Sequence, residues 1–282
     1  MPHKIIDCFI FYNELNMLEY RLNLLWNIVD YFVICEASRT FIGNAKEYYL
    51  DDSRFTLYGS KIIQIKIDLP YPNPDISKNE QWLNESYQRD NLSQGIDYLV
   101  KNNKISNNDL IIINDVDEIP DPNTLIYLSK QKPIEALFTL VQKYHSYNLE
   151  TVRLLNWYHV KVLSYNTLMN VLNNPLFSTI RMYNVTIPLP NDIQKFYPIN
   201  IMNIMNGGWH LSYFGDIKFI QNKINNFSHQ EINVTENEIN DRINNGLDIG
   251  GNNTILYEHI KIEDNNYLPP NTAFLLYLFG LN

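Results

Sequence analysis

The sequence predicts an α/β fold: a mostly parallel central sheet with helices on both faces, and a mixed C-terminal half. Three observations lead to this prediction. Short apolar runs rich in β-branched residues alternate with amphipathic segments over residues 1–120. The last of these runs ends in a group of acidic side chains. After residue 130 the alternation gives way to longer apolar stretches and irregular segments, with no Gly/Ser-rich or charged linker, so a single domain over residues 1–282 is expected.

The first half alternates strands with helices. Residues 14–29 carry apolar side chains at steps of three or four residues, which is the spacing of one apolar helix face. Residues 80–101 predict a second helix despite Gly95. The predicted buried strands are residues 4–12, 30–38, 61–69 and 109–115. Because this pattern is typical of parallel sheets, we expect ligands at the carboxyl ends of the strands.

The second half is less regular. Residues 134–150 predict one or two long strands, and residues 151–208 predict irregular structure with prolines at 188, 190 and 198. Residues 236–246 predict a helix that ends at Gly246. The apolar tail, residues 266–282, predicts either a packed last helix or a docking surface.

Composition excludes several classes of function. The formal net charge of −9 argues against binding to nucleic acid, which needs clustered Lys and Arg. The two cysteines, Cys8 and Cys35, lie in apolar runs and predict buried thiols rather than a disulfide or zinc site. No run reaches the ~18–20 apolar residues that span a bilayer, and the first apolar run is too short for a signal peptide. We therefore expect a soluble, cytoplasmic protein.

Four acidic residues lie at or just after the end of the fourth predicted strand, namely Asp115, Asp117, Glu118 and Asp121. Two carboxylates about 4 Å apart repel by roughly 4 kcal/mol at an effective dielectric near 20, so such a group needs basic partners, solvent or a metal ion. Residues i and i+2 of an extended chain point to one side, and Mg²⁺ and Mn²⁺ prefer oxygen ligands. The alternative is a solvated acidic turn in which Asp121, followed by Pro122, caps the next helix.

Four blocks of the sequence resemble glycosyltransferase family 17. They are residues 11–50, the "QRDNL" of residues 88–92, the "LIIINDVDEIPDP" of residues 110–122 and the "GGWHLSYFG" of residues 207–215. The resemblance covers most of residues 5–250. It implies a GT-A-type glycosyltransferase fold, a UDP-sugar donor, a divalent cation (Mn²⁺ or Mg²⁺) and inversion at the anomeric carbon. It also places the Asp-x-Asp motif of the family on Asp115 and Asp117.

The resemblance implies contacts to the donor, with Glu118 either supporting the metal ligands or touching the donor sugar. The residues expected in the donor site are Asn13, Glu14, Glu36, Arg39, Arg89, Asp90, Asp115 and Glu118. The first six have structural alternatives: helix N-terminal chemistry for Asn13 and Glu14, a salt bridge for Glu36 and Arg39, and ion pairs within or between helices for Arg89 and Asp90.

The remaining site residues are expected in the second half. His210 is the expected third metal ligand beside Asp115 and Asp117, against the alternatives of a histidine in an aromatic core or of His229 as the ligand. An inverting transfer needs a general base for the acceptor hydroxyl. The candidates are Asp216 first, then Glu231 and Glu150.

The resemblance therefore predicts a metal-dependent inverting glycosyltransferase, with GlcNAc as the expected sugar and a glycan or other hydroxyl as acceptor. Residues 1–130 would form the nucleotide-sugar-binding half, residues 131–250 the acceptor side and residues 251–282 a tail. Two alternatives are the same fold with a different nucleotide sugar, and a non-catalytic carbohydrate-binding relative.

Overall fold

Four parallel strands form the first half of the central sheet. A computed structural model describes residues 2–132, 135–183, 199–252 and 254–281. The strands are β1 (Ile5–Phe11), β2 (Tyr31–Ala37), β3 (Ile62–Ile67) and β4 (Leu110–Asp115), in the order β3-β2-β1-β4. All three pairs are parallel. The four predicted strands are thus confirmed to within two residues, and their carboxyl ends meet at one edge.

One predicted helix of this half is two helices. The helices are α1 (Leu15–Leu25), α2 (Glu80–Asp90), α3 (Ser93–Lys101) and α4 (Pro122–Ser129). The single helix expected over residues 80–101 was wrong, because the chain turns at Asn91 and Leu92. The turn brings the backbone of Gly95 against β2, where an added Cβ would lie 2.3 Å from Val33 Cγ1. Gly95 is therefore a close-packing position that allows α3 to lie on the sheet.

The sheet as a whole is mixed rather than mostly parallel. The later strands are β5 (Glu118–Pro120), β6 (Ala136–Ser146), β7 (Thr151–Arg153), β8 (Trp157–Ser164), β9 (Asn200–Ser212) and β10 (Tyr257–His259). β8 pairs antiparallel with β4, and β6 pairs antiparallel with β8 but parallel with β9. β5 pairs antiparallel with β9, β7 with β6, and β10 with β7. The predicted parallel first half and mixed second half are both found, but the sheet counted as a whole is mixed. The antiparallel pairs were not foreseen because buried apolar runs look alike in parallel and antiparallel strands.

Residues 151–208 were expected to be irregular, yet their described part contains β7, β8 and most of β9. The prolines at 188, 190 and 198 lie outside the described residues. Gly208 interrupts the apolar pattern of a strand in the sequence. It is needed in β9 because its φ of +142° is an angle that residues with side chains rarely adopt. An added Cβ there would lie 2.1 Å from the Ile119 carbonyl oxygen of β5. The glycine allows β5 and β9 to approach closely beside the acidic residues.

Helices cover both faces of the sheet, as predicted. The later helices are α5 (Phe177–Arg181), α6 (Ile217–Asn226), α7 (Glu236–Asn245) and α8 (Thr272–Phe279). One apolar core includes α1, α4 and Leu275 of α8, and the other includes α3 and α5. The packed last helix is thereby confirmed. Among the described residues, no helix has the length and apolar character to cross a membrane.

Candidate functional site

A cavity of about 610 Å³ opens at the carboxyl edge of the parallel strands. Residues at or after the ends of β1, β2 and β4 line one part of it, including Phe11, Arg39 and Asp115. Tyr144 of β6 and His210 of β9 line another part. This main cavity therefore lies where the parallel pattern predicted a ligand.

The backbone of the acidic segment, residues 115–118, is held by a buried arginine of α1. Arg21 is fully buried and forms a two-point ion pair with Asp7, with Nε–Oδ2 and Nη2–Oδ1 distances of 2.8 and 2.7 Å. Its Nη1 also donates to the carbonyl oxygens of Asp115, Val116 and Glu118, at 3.2, 3.2 and 2.7 Å. Because these carbonyls bind one rigid guanidinium, the loop that carries the acidic side chains has a fixed shape.

Asp115 and Glu118 form one ionic group with two arginines. The Arg181 guanidinium lies 2.5 Å from Asp115 Oδ2 and 2.6 and 2.7 Å from the two oxygens of Glu118. Arg89 donates to Asp115 Oδ1, and the Trp157 indole N–H donates to Glu118. Burial raises the pKa of Glu118, but the Arg181 guanidinium holds that pKa well below its usual range. Burial raises the pKa of Asp115, and the charges of Arg181 and Arg89 oppose that rise. Both carboxylates are thus paired with arginine, and Glu118 is held in its ionised form.

Asp117 has different partners. Its Oδ2 lies 2.9 Å from Lys223 Nζ on α6, and its Oδ1 lies 3.6 Å from His210 Nε2 on β9. Burial raises the pKa of Asp117, but Lys223 and His210 hold it well below the usual range. The His210 ring packs against Tyr144 and Trp157, at centroid distances of 4.4 and 4.5 Å. Its buried Nδ1 has no hydrogen-bond partner among the described atoms.

Two of the three expected metal ligands lie together. Asp117 and His210 face each other, whereas Asp115 is directed to Arg89 and Arg181. No group of three or more His, Cys, Asp or Glu in the described part of the chain is arranged to hold a metal ion. One carboxylate and one imidazole fit part of the ligand set of Mn²⁺ or Mg²⁺, which in phosphate-binding sites take further ligands from phosphate and water.

His229 is placed differently from His210. It also lines the main cavity, but its Nδ1 lies 2.6 Å from Glu231 Oε1 and its ring packs on Trp82. The alternative in which His229 is a ligand beside Asp117 therefore receives no support from the geometry.

Glu14 lies on the main cavity, as expected. Its Oε1 is 3.3 Å from Lys223 Nζ, and its Oε2 accepts hydrogen bonds from the backbone N–H groups of Tyr12 and Asn13. The Asn13 side chain does not cap α1; its Nδ2 donates to Asn222 Oδ1 at 3.1 Å. Asn13 lines a second cavity of about 320 Å³, here called the side cavity, which adjoins the main one at Glu14, Asp117 and Lys223.

Of the expected donor-site residues Glu36 and Arg39, only Arg39 lines the main cavity. Glu36 is fully buried, with one oxygen 2.7 Å from Lys46 Nζ. The Glu36 carboxylate also accepts hydrogen bonds from the backbone N–H groups of Tyr49 and Leu50. The structure therefore places Glu36 in the structural salt bridge that was the alternative, although its partner is Lys46 rather than Arg39.

The side chains of Arg89 and Asp90 also have different surroundings. Arg89 lines the main cavity between Asp115 and Glu85, with Nη2 2.9 Å from Glu85 Oε1. Asp90 does not line the main cavity, and its Oδ1 accepts a hydrogen bond of 2.8 Å from the Ser178 N–H in the first turn of α5. Because α5 ends at Arg181, Asp90 positions the helix that neutralises the acidic group.

None of the three candidate general bases lines the main cavity. Asp216 caps α6 by accepting a hydrogen bond from the Phe219 N–H at 2.7 Å, and it lines the side cavity. Glu231 and Glu150 lie on the surface, with side chains 65% and 36% exposed. A catalytic role for each of them stays a prediction.

Sequence reasoning missed several ionisable residues of the cavity, among them Arg181, Lys223 and Glu85. Lys223 had a usable signal, because a capping Asp216 followed by isoleucines at 220 and 224 indicates an amphipathic helix next to the "GGWH" block. Glu85 lies one helical turn before Arg89 and accepts from Ser228 Oγ at 2.5 Å. Arg181 is a single arginine in an apolar stretch of a segment expected to be irregular, which gives no comparable signal.

Comparisons with known proteins find matches that cover mainly the first part of the chain. The model of glycosyltransferase family 17 matches residues 1–172. The β-1,4-mannosyl-glycoprotein 4-β-N-acetylglucosaminyltransferases of Rattus norvegicus and Homo sapiens are each 26% identical over 132 residues. These residues are 45% of this chain and 24% of each relative, so the match spans only about a quarter of the relatives' length.

A comparison with solved structures gives a distant match. A crystal structure of 4-diphosphocytidyl-2C-methyl-D-erythritol synthase aligns with a TM-score of 0.40 and 12% identity, covering 71% of this chain and 89% of that one.

Proposed function

The chain belongs to glycosyltransferase family 17, and we propose that it transfers a sugar, with GlcNAc as the expected one, from a UDP-sugar to a hydroxyl of a glycan or another acceptor. We propose a GT-A-type fold for it and inversion at the anomeric carbon. The main cavity, at about 610 Å³, is within the size range of sites that bind small molecules and cofactors.

The observation that carries the proposal is the set of cationic groups around Asp115 and Asp117. Arg89, Arg181 and Lys223 all lie on the main cavity within ion-pair distance of these aspartates. A buried site with several paired charges is expensive to build, so this arrangement supports a role in binding a charged ligand. A nucleoside diphosphate is an anion that such cations and a divalent ion can hold together.

Asp117 and His210 are the residues that would hold the divalent cation. When bound, Mn²⁺ or Mg²⁺ would act as a Lewis acid for the negative charge that develops on the leaving diphosphate. Arg181 and Arg89 pair with Asp115 and Glu118 without the metal, and Arg21 keeps the loop backbone in place. Glu14 and Arg39, at the ends of β1 and β2, lie where the nucleotide of a donor would extend along the strand edge.

An inverting transfer also needs a carboxylate or histidine to accept the proton of the attacking hydroxyl. Of the cavity carboxylates, Glu85 on α2 does not bond Lys223; it accepts hydrogen bonds from Arg89 and Ser228, and its side chain is 24% exposed. We propose Glu85 ahead of Asp216, Glu231 and Glu150 because the latter three do not line the main cavity.

The test is sugar transfer from a panel of nucleotide sugars, with and without Mn²⁺, scored by UDP release and by analysis of the glycosylated product. Asp117→Asn keeps the size of the side chain and removes its charge, and should lower turnover by ~100-fold or more. Asp97→Asn on α3 is the matched control, because Asp97 is exposed and does not line the main cavity. Transfer from a nucleotide sugar other than UDP-GlcNAc would assign a different donor to the enzyme. No transfer from any donor would contradict the enzyme proposal.

A further inference from the structure

Lys223 is held between two carboxylates from different parts of the chain. Its Nζ lies 2.9 Å from Asp117 Oδ2 and 3.3 Å from Glu14 Oε1. The side chain is only 16% exposed. The Lys223 ammonium is therefore a positive charge held against Asp117 and Glu14 in a largely buried position.

The two oxygens of Asp117 face two different groups. Oδ1 is directed to the His210 imidazole, and Oδ2 is occupied by Lys223. A divalent ion placed between Asp117 and His210 would lie within a few ångströms of the Lys223 ammonium. Like charges at this distance in a poorly solvated site repel strongly, so the ion and the ammonium compete for the same carboxylate.

The lysine has space to move away from Asp117. Lys223 lines both the main cavity and the side cavity, which have volumes of about 610 and 320 Å³. Its four-carbon stem is flexible, and an ammonium binds a phosphate as a point charge without strict geometry. A diphosphate in the main cavity would offer the displaced ammonium a new anionic partner.

We propose that Lys223 is a resident counter-ion of Asp117, which a divalent ion must displace and which then binds the diphosphate of the donor. This inference rests on the proposed function. It makes metal and nucleotide binding cooperative. A metal ion that binds alone breaks the ion pair between Lys223 and Asp117, whereas a metal ion that binds with a diphosphate gives Lys223 a new anionic partner. The coupling is reciprocal, so each ligand raises the affinity for the other by the same factor.

The experiment measures Mn²⁺ binding by electron paramagnetic resonance, with and without UDP, in the full chain. The variants are Lys223→Met, which keeps a long side chain and removes the charge, Lys223→Arg, which keeps the charge, and Lys218→Met as control. Lys218 is exposed on the same helix. Circular dichroism and a urea melt establish that each variant is folded.

In the wild type, UDP should tighten Mn²⁺ binding by ~10-fold or more, within the range typical of coupled sites. Lys223→Met should bind Mn²⁺ alone ~10-fold more tightly than the wild type, and UDP should then add less. Lys223→Arg should retain most of the coupling, and Lys218→Met should equal the wild type.

Equal Mn²⁺ affinities of the wild type and Lys223→Met, each with the same response to UDP, would overturn the inference and leave the proposed function intact. Absence of Mn²⁺ binding in every variant, with or without UDP, would overturn both the metal part of the proposed function and this inference.

Discussion

The two halves of the chain make different contributions to the main cavity. The acidic side chains Glu14, Asp115 and Asp117 come from the first half, which also supplies cations such as Arg39 and Arg89. Of the partners of the acidic segment, Arg89 bonds Asp115 from the first half, whereas Arg181 and Lys223 of the second half bond Glu118 and Asp117. The last two carboxylates therefore gain their cationic partners only when the second half has folded against the first.

Asp115 and Asp117 differ in the kind of partner that each has. Asp115 is paired by arginines, which are always charged and bind in fixed geometry, so this part of the site is a permanent ionic group. Asp117 is paired by a lysine and faces a histidine, which are groups that can move or bind a metal. The comparison teaches that only one aspartate of the motif is available for exchange of partners.

The largest effect is expected from removing the second-half arginine. Arg181→Met should lower the free energy of unfolding by ~3–5 kcal/mol, because it leaves the fully buried Glu118 and its neighbour Asp115 without their main partner. Urea denaturation measures this loss. Arg54→Met is the control, because Arg54 meets Glu19 on the surface at 3.5 Å and its loss should cost ~1 kcal/mol or less. Equal losses for the two variants would contradict the idea that the halves neutralise each other.

The next effect is a pH dependence of stability that comes from two histidines of the second half. Burial lowers the pKa of His145 to about 4, and burial with Arg181 lowers the pKa of His159 to about 3. Both values lie below the ~6.5 of an unfolded chain, so the unfolded state binds more protons and stability falls as the pH drops below 6.5. Between pH 6.5 and 5.5 each histidine should cost about 1 kcal/mol of unfolding free energy.

Urea denaturation at the two pH values checks this expectation, with His145→Asn compared with the wild type at each. The variant should lose about half of the pH dependence that these two histidines cause, because only His159 of the pair then remains. A decline as steep in His145→Asn as in the wild type would contradict the assignment.

A smaller effect distinguishes capping from catalysis at Asp216. Asp216→Ala should cost ~1 kcal/mol of stability, since it removes the N-cap of the helix that carries Lys223. Asp216→Ser keeps a capping side chain and should restore both the stability and most of the sugar transfer. Transfer that is absent in the serine variant despite restored stability would instead support Asp216 as the general base.

Sequence reasoning located the acidic half of the site better than its partners. Asp115 and Asp117 follow a strand whose apolar run is unmistakable, and the parallel pattern alone predicts that such a strand ends at a ligand site. Asp121 was likewise readable as a cap, and it accepts a hydrogen bond from the Asn123 N–H at 2.7 Å. These features depend on local sequence.

The partners depend on contacts between distant segments. Arg181 is 66 residues from Asp115 and Lys223 is 106 residues from Asp117. No local pattern encodes which cation meets which carboxylate, so the salt bridges could not be predicted. The same reason explains why β9 was missed: its pairing with β5 and β6 needs two glycines that interrupt the strand pattern.

The most direct test of the central claim is UDP binding by calorimetry, with and without Mn²⁺, in the wild type, Asp117→Asn and the control Asp97→Asn. If the two halves form a metal-assisted diphosphate site, Mn²⁺ should strengthen UDP binding in the wild type and in the control. The Asp117→Asn variant should then lose that strengthening. UDP binding that is absent in the wild type, or that responds equally to Mn²⁺ in Asp117→Asn, would contradict the account.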